Sequence, residues 1–311
     1  MVRFHSDALP IRRELSARKE TMDFKEFSTR ILEKVNALLP DGLSANFQTI
    51  QKNNGVSYTC LCLDPCRERE ASPAIYMEPV FDMLTEGDDA ELYKVAEQLS
   101  GLLVKQAPQY LNPAVFDDAG YAKAHLVYRL SGLKGNEAWL SHVVYREYLD
   151  MAITYAIILN EGEPDTGLVS VSRELMEHWH FTEEELFSYA HENTKRIFGD
   201  NLAGFYDALP GENGEGPRTV YILSNRENFY GAAVILYSEE LKSLADRLQS
   251  DLFLLPASIH EVIILPWKKE DYPFMLRTVM KVNEAEEKKE NVLTDNVYVY
   301  ERETGKIRIA P

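Results

Sequence analysis

"LLPASIHEVIILP", residues 254–266, carries the clearest fold signal in the chain. Two apolar runs enclose one short polar island, Pro256-Ala257-Ser258-Ile259-His260-Glu261. Short runs rich in Leu, Ile and Val, bounded by prolines, suit buried strands. Ser258 and Glu261 stand at capping-box spacing, able to hold one tight turn after Pro256. Pro256 and Pro266 limit the β segment on either side. On this reading the stretch is a turn joining two core strands. A second reading is chemical. In an extended chain Ser258 and His260 point to one side, as a nucleophile and base would, with Glu261 adjacent. That reading needs an orienting acid and oxyanion donors from elsewhere. The chain has no G-x-S-x-G elbow, and "HEVII" lacks the second His of a zinc-protease helix.

The neighbouring segments carry the same antiparallel theme. Residues 44–51 and 56–63 alternate around Asn53-Asn54-Gly55, a hairpin signal. "EYLDMAITYAIIL" and "TGLVSVS" flank the loop "NEGEPD", and "NVYVYERETGKIRIA" reads as a closing hairpin. Further strands are expected at 74–80 and 124–131, and in "TVYILSN" and "GAAVILYS". Between them lie amphipathic helices. "MDFKEFSTRILEKVNALLP" places Phe24, Phe27, Ile31, Val35 and Leu38 on one side. Residues 88–108 carry a stripe of Leu92, Val95, Leu99, Leu102 and Leu103. Thr182 with Glu185 is a capping box opening "TEEELFSYAHENTKRIFG". "SEELKSLADRLQ" is a helix capped by Ser238, and "YPFMLRTVMKVNEAEEKKE" a helix with a polar tail. No regular βαβ alternation appears. The expected class is therefore α+β, a mixed and largely antiparallel sheet with packed helices in one or two lobes. Residues 1–21 are charged and weakly periodic and read as a peripheral N-terminal extension. Residues 22–133 and 134–311 are the expected N-terminal and C-terminal α+β lobes.

Charge narrows the function classes. The chain has 311 residues and a formal net charge of -17, from 33 basic and 50 acidic side chains. Nucleic-acid binders need a basic footprint to displace counterions, and none is present. The same argument disfavours anionic membrane surfaces, and no apolar run approaches a membrane span. Three closely spaced cysteines, Cys60, Cys62 and Cys66, fit a reducing cytoplasmic compartment better than a disulfide framework.

Two other clusters are candidates for chemistry. Cys60-x-Cys62 lies on one face of a strand, but no second Cys pair completes a zinc site. His178, His180 and His191 gather in "EHWHFTEEELFSYAHEN", yet the first two end one helix and His191 lies well along the next. His180 fits a helix-ending position with φ > 0. No metal site and no cofactor are expected. His191 and Asn193 are kept as ligand-binding candidates, able to approach Ser258, His260 and Glu261 through folding.

Three stretches together resemble a family. They are "YREYLDMAITYAIIL", "VSRELMEHWHFTEEELFSYAHENT", and "LFLLPASIHEVIILP" followed by "VNEAEEKKENVLTDNVYVYERETG". They are similar to an uncharacterised domain-of-unknown-function family of Gram-positive anaerobic bacteria with W-G-x-[ST]-x-E-E-L, L-P-S-S-[IV]-H-E-V and V-L-[ST]-D-x-V-Y-x-Y segments. The resemblance runs from Met22 and is weaker over residues 40–120. His180 and Phe181 depart from the usual Gly-Val, and Ala257 replaces the first Ser of the second motif. The resemblance implies a bacterial, cytoplasmic protein of unknown role, with Thr182 to Thr194 and Leu255 to Val262 as signatures of fold or site. The function expected is a non-catalytic binding or protein-interaction module whose partner is an unknown protein or small-molecule ligand. The alternatives are a hydrolase-type enzyme using Ser258, His260 and Glu261, and a metal-binding module.

Overall fold

A computed structural model describes residues 22–64, 74–85, 87–110, 114–159, 167–209 and 218–311. The expected extension at 1–21, Cys66, and the loops at 160–165 and 210–217 lie outside the described residues. The chain divides into two compact units. One comprises Met1–Lys52, Ser57–Ala122 and Ile158–Val169, the other Asn53–Val56, Lys123–Ile157 and Ser170–Pro311.

In the first unit, helix α1 (Phe24–Leu38) starts where Asp23 accepts the Glu26 amide at 2.8 Å. Its apolar stripe buries Phe27, Ile31 and Val35. Strands β1 (Ser44–Gln51) and β2 (Ser57–Asp64) form the expected hairpin, in register from Ser44↔Asp64 to Gln51↔Ser57. Strand β3 (Ala74–Tyr76) adds to β2. The strand expected to run to residue 80 stops at Tyr76 and becomes helix α2 (Met77–Asp82). Pro79 explains the break, because its ring suits the first turn of a helix and would interrupt a ladder. The Glu78 carboxylate accepts the Thr59 amide at 2.7 Å and ties the new helix to β2. Helix α3 (Asp89–Tyr110) packs Leu92, Ala96, Leu99 and Leu103 against Phe27, Ile31, Leu61 and Leu63. Helix α4 (Ala114–Asp117) follows.

Helix α5 (Ala119–His125) leads into β4 (Leu126–Gly132), whose seven residues are all buried. Helix α6 (Glu137–Leu140) comes next, then strands β5 (Tyr145–Tyr148) and β6 (Met151–Leu159). Sheet order is β4-β6-β5, and β7 (Gly167–Ser170) also pairs with β6. The sequence reads residues 147–159 as one run, but the chain reverses at Leu149-Asp150, with Leu149 left-handed at φ 58. Such a backbone costs a leucine about 1–2 kcal/mol. The Asp150 carboxylate offsets it by accepting from Thr294 Oγ1 at 2.6 Å, from Asn296 Nδ2 at 3.0 Å, and from the Tyr298 hydroxyl.

Helix α7 (Arg173–His178) is capped by Ser172 and ends at His180, which takes φ 58 as the sequence predicts. Phe181 donates its amide to Met176 and His180 to Glu177, which closes the helix end. Helix α8 (Glu183–Phe198) opens with the predicted capping box. Thr182 accepts the Glu185 amide, and the Glu185 carboxylate accepts the Thr182 amide.

The second sheet of this unit is six-stranded and antiparallel, in the order β13-β12-β10-β11-β9-β8. Its strands are β8 (Asn201–Leu209), β9 (Arg218–Ser224), β10 (Leu252–Pro256), β11 (Val262–Pro266), β12 (Tyr298–Tyr300) and β13 (Ile307–Ile309). The opening stretch of sequence is thus the central hairpin, β10 and β11, registered from Leu252↔Pro266 to Pro256↔Val262. Helices α9 (Glu240–Leu248) and α10 (Tyr272–Ala285) form within the expected stretches, but the capping position of α9 is Glu239, with Ser238 just before it accepting the Glu240 amide, and α10 ends at Ala285, before the polar tail. Met275 and Val279 of α10 pack on Phe253, Leu255 and Leu265 of the hairpin. The class is α+β with antiparallel sheets.

One expected strand is not formed. "GAAVILYS" folds as a buried 3-10 helix, Gly231–Leu236. Its amide at Ala232 donates to the Ile259 carbonyl of the central hairpin turn, so tertiary packing overrides the β-branched composition.

Candidate functional site

The hairpin turn at Ala257–Glu261 is held from several sides. Ser258 Oγ accepts the His260 amide at 2.9 Å, and Ser258 donates its own amide to the Glu261 carbonyl at 3.4 Å. This is a two-residue hydroxyl turn in place of the expected capping box. Ile259 is buried and donates to the Asn291 carbonyl at 2.7 Å. The His260 carbonyl accepts from Ser224 Oγ at 2.7 Å. Ser258, His260 and Glu261 are all half-buried.

The His260 ring faces the loop that follows β9. Its Nδ1 accepts the Tyr230 amide at 3.2 Å, and the two rings lie 5.7 Å apart. Tyr230 is left-handed (φ 52), and so is Asn228 (φ 49). Asn225, itself buried, braces this loop. Its Oδ1 accepts from the Glu227 and Phe229 amides, and its Nδ2 donates to the Phe229 carbonyl at 2.8 Å. Two non-glycine residues in a conformation costing about 1–3 kcal/mol each mark a segment that its surroundings over-determine.

The chemistry open to this turn follows from one bond. A neutral imidazole that accepts at Nδ1 carries its proton on Nε2. Nε2 is then a donor, whereas a base for a serine hydroxyl needs a lone pair there and an acid partner on Nδ1. Ser258 spends its hydroxyl oxygen on the turn's own backbone, and its hydroxyl proton meets no acceptor among the described residues. The Glu261 side chain has no hydrogen bond or ion pair among the described residues. The arrangement is a scaffold for Tyr230.

Above Tyr230 stands a cation that sequence reasoning missed. Arg129 is the middle residue of the seven in β4, set in a largely apolar run, and it is only 8% exposed. Alternation sends Tyr128 to α8 and Arg129 to the opposite face. The Arg129 guanidinium carbon lies 5.4 Å from the Trp139 ring and 5.1 Å from the Tyr230 ring. Its Nη2 donates to Ser170 Oγ at 2.7 Å and its Nε to Thr154 Oγ1 at 3.4 Å. No carboxylate pairs with it among the described residues. Withdrawing a cation from water costs several kcal/mol, which is why buried arginines ordinarily carry an acid partner. The available signal was a charged residue inside "HLVYRLSG", a run otherwise fit for a core strand.

The other candidates are placed elsewhere in the same unit. Asn193 is buried, and its Nδ2 donates to the Lys123 carbonyl at 2.8 Å. His191 Nδ1 lies 3.1 Å from the Tyr128 hydroxyl, with Phe187 stacked on the ring at 5.8 Å. Burial pushes the Tyr128 hydroxyl far above its usual range, so it stays protonated. His191 and Asn193 therefore belong to the packing of α8 on β4, and among the described residues no hydrogen bond or ring contact joins them to the hairpin turn. In the first unit, Cys60 and Cys62 are buried, and burial pushes the Cys60 thiol up to about 12. Among the described residues, no three His, Cys, Asp or Glu side chains converge as metal ligands, and no helix is long and apolar enough to cross a membrane.

A family model matches residues 24–302, which include the central hairpin, Arg129, Tyr230 and the α8 capping box. The chain belongs to DUF5688, a family of unknown function. No curated protein and no solved structure matches it. The DUF5688 match thus supplies a family for the geometry above and leaves its chemistry to be read from the residues themselves.

Proposed function

We propose that this DUF5688 chain is a bacterial, cytoplasmic, non-catalytic binding module, and that its recognition surface is the Asn225–Tyr230 loop with Trp139 and Arg129. The observation that carries the reading is the His260 Nδ1 bond to the Tyr230 amide. It uses the most base-like group of the hairpin turn to hold a left-handed aromatic residue in place, which suits presentation of a ring and not proton transfer. Half-buried Trp139, Phe229 and Tyr230 supply amphipathic contact area at low entropic cost, as in known recognition surfaces. The free, buried thiol of Cys60 supports a reducing compartment.

The test is a thermal-stabilisation screen of the full chain against metabolites and short peptides. A specific ligand raises the melting temperature in proportion to the logarithm of its concentration above Kd. Tyr230→Ala should abolish the rise while Ser258→Ala leaves it intact. Hydrolysis of an ester or amide panel that disappears in Ser258→Ala would replace this reading with the enzymatic one.

A further inference from the structure

We propose that Arg129 anchors an oxyanion site, taking the carboxylate or phosphate group of a small ligand at the guanidinium edge between Trp139 and Tyr230. The inference rests on the binding-module reading and names the chemistry of its ligand. Its first support is that no carboxylate pairs with Arg129 among the described residues. Arg129 is 92% buried by its 8% exposure, and both its hydrogen-bond acceptors, Ser170 and Thr154, are neutral hydroxyls.

The second support is geometric. A guanidinium presents five N–H groups in a planar fork. The two hydroxyls engage one at Nε and one at Nη2. Nη1 donates to no residue among the described ones, yet it is not among the fully enclosed atoms that lack a partner, so it is not sealed from solvent. Nη1 and Nη2 form the end of the fork. Two parallel N–H groups there match the oxygen spacing of a carboxylate or phosphate.

The third support is preorganisation. Trp139 and Tyr230 lie against the guanidinium and fix its plane. The Tyr230 ring is in turn set by its left-handed backbone and by His260. With two rings beside it and only 8% of the residue exposed, the cation is largely withdrawn from water, which strengthens a charge-assisted bond to it. A chain of net charge -17 gains no anions by general attraction, so selectivity at this point must come from local shape.

The experiment uses the full chain melted in sodium phosphate, sodium acetate and sodium chloride at matched ionic strength and pH. The expected result is a saturable rise for phosphate or acetate over chloride, roughly 3 °C at tenfold excess over Kd. Which salt acts first assigns the ligand group. Non-specific stabilisation by phosphate grows without saturating, and Arg129→Met should retain only that part. Should Arg129→Met fail to fold, Trp139→Leu keeps the cation and exposes one face, and it should weaken binding at least about fivefold. Equal melting in all three salts overturns the proposal, as does a saturable rise unchanged in Arg129→Met or Trp139→Leu. A metabolite that stabilises wild type and Arg129→Met alike removes the oxyanion site and leaves the binding-module reading standing. No stabilisation by any compound removes both.

Discussion

Gly231→Ala is the sharpest perturbation of the junction between the aromatic loop and the central hairpin. A Cβ at this position would fall inside contact distance of Ser224 Oγ and the His260 carbonyl oxygen, and 2.8 Å from the Asn225 nitrogen. Real Cβ atoms essentially never approach within 3.0 Å of another heavy atom. Two of these three neighbours are backbone and cannot swing aside. The third, the Ser224 hydroxyl, can rotate only by giving up its 2.7 Å bond to His260. Overpacking of this kind costs about 1–3 kcal/mol, and an orphaned buried hydroxyl adds about 1–3 kcal/mol more. The combined expectation is about 3 kcal/mol, or roughly 6 °C in melting temperature. Urea unfolding followed by tryptophan fluorescence measures it directly, with the slope unchanged. Ser224→Ala removes one obstacle, so the double variant should be less destabilised than the two single effects summed. A Gly231→Ala protein within about 0.5 kcal/mol of wild type would refute the packing described for this junction.

Four further outcomes follow from the same structure. His260→Ala should destabilise by about 2 kcal/mol in urea unfolding, because the Tyr230 amide loses its acceptor; an unchanged midpoint contradicts that role. His180→Gly should stabilise by about 1 kcal/mol in thermal melts, since glycine takes φ 58 without strain, and destabilisation would mean the side chain matters more than the backbone. Thr182→Ala should cost about 1 kcal/mol through loss of the α8 cap, with a midpoint identical to wild type as the contrary result. Stability should also fall at alkaline pH. Burial raises Cys60 from 9.0 to about 12 and Tyr155 from 10.0 to about 12, so in this window the folded chain holds protons that the unfolded chain releases. The stabilisation is complete below pH 9 and lost as pH approaches 12; a melting temperature flat between pH 9 and 12 would be inconsistent with these buried groups.

Local rules made much of the fold legible. The Thr182–Glu185 box, the left-handed His180 and the Asn53-Asn54-Gly55 hairpin are each decided by a few neighbouring residues, and each formed. The central hairpin was legible because its apolar runs and prolines bracket one turn. What was not legible depended on distant partners. Leu149 reverses the chain because Asp150 is held by Thr294, Asn296 and Tyr298, far along the sequence. "GAAVILYS" has strand composition, but Gly231 is pressed against Ser224 and the hairpin turn, and the segment winds into a 3-10 helix. The candidate site divides the same way. The sequence marks Ser258, His260 and Glu261 as adjacent polar residues, yet only folding reveals that His260 faces the Tyr230 amide. Tyr230 is far along the sequence from Arg129 and Trp139, so no local motif could join the three.

The most direct measurement is the protonation site of the His260 ring, read from long-range proton–nitrogen correlation of the imidazole and assigned by its loss in His260→Ala. The account predicts, in the neutral ring, a proton on Nε2 and an unprotonated Nδ1 that accepts from Tyr230. A neutral ring with its proton on Nδ1 would contradict it, releasing Tyr230 from His260 and returning Nε2 as a base within reach of catalysis.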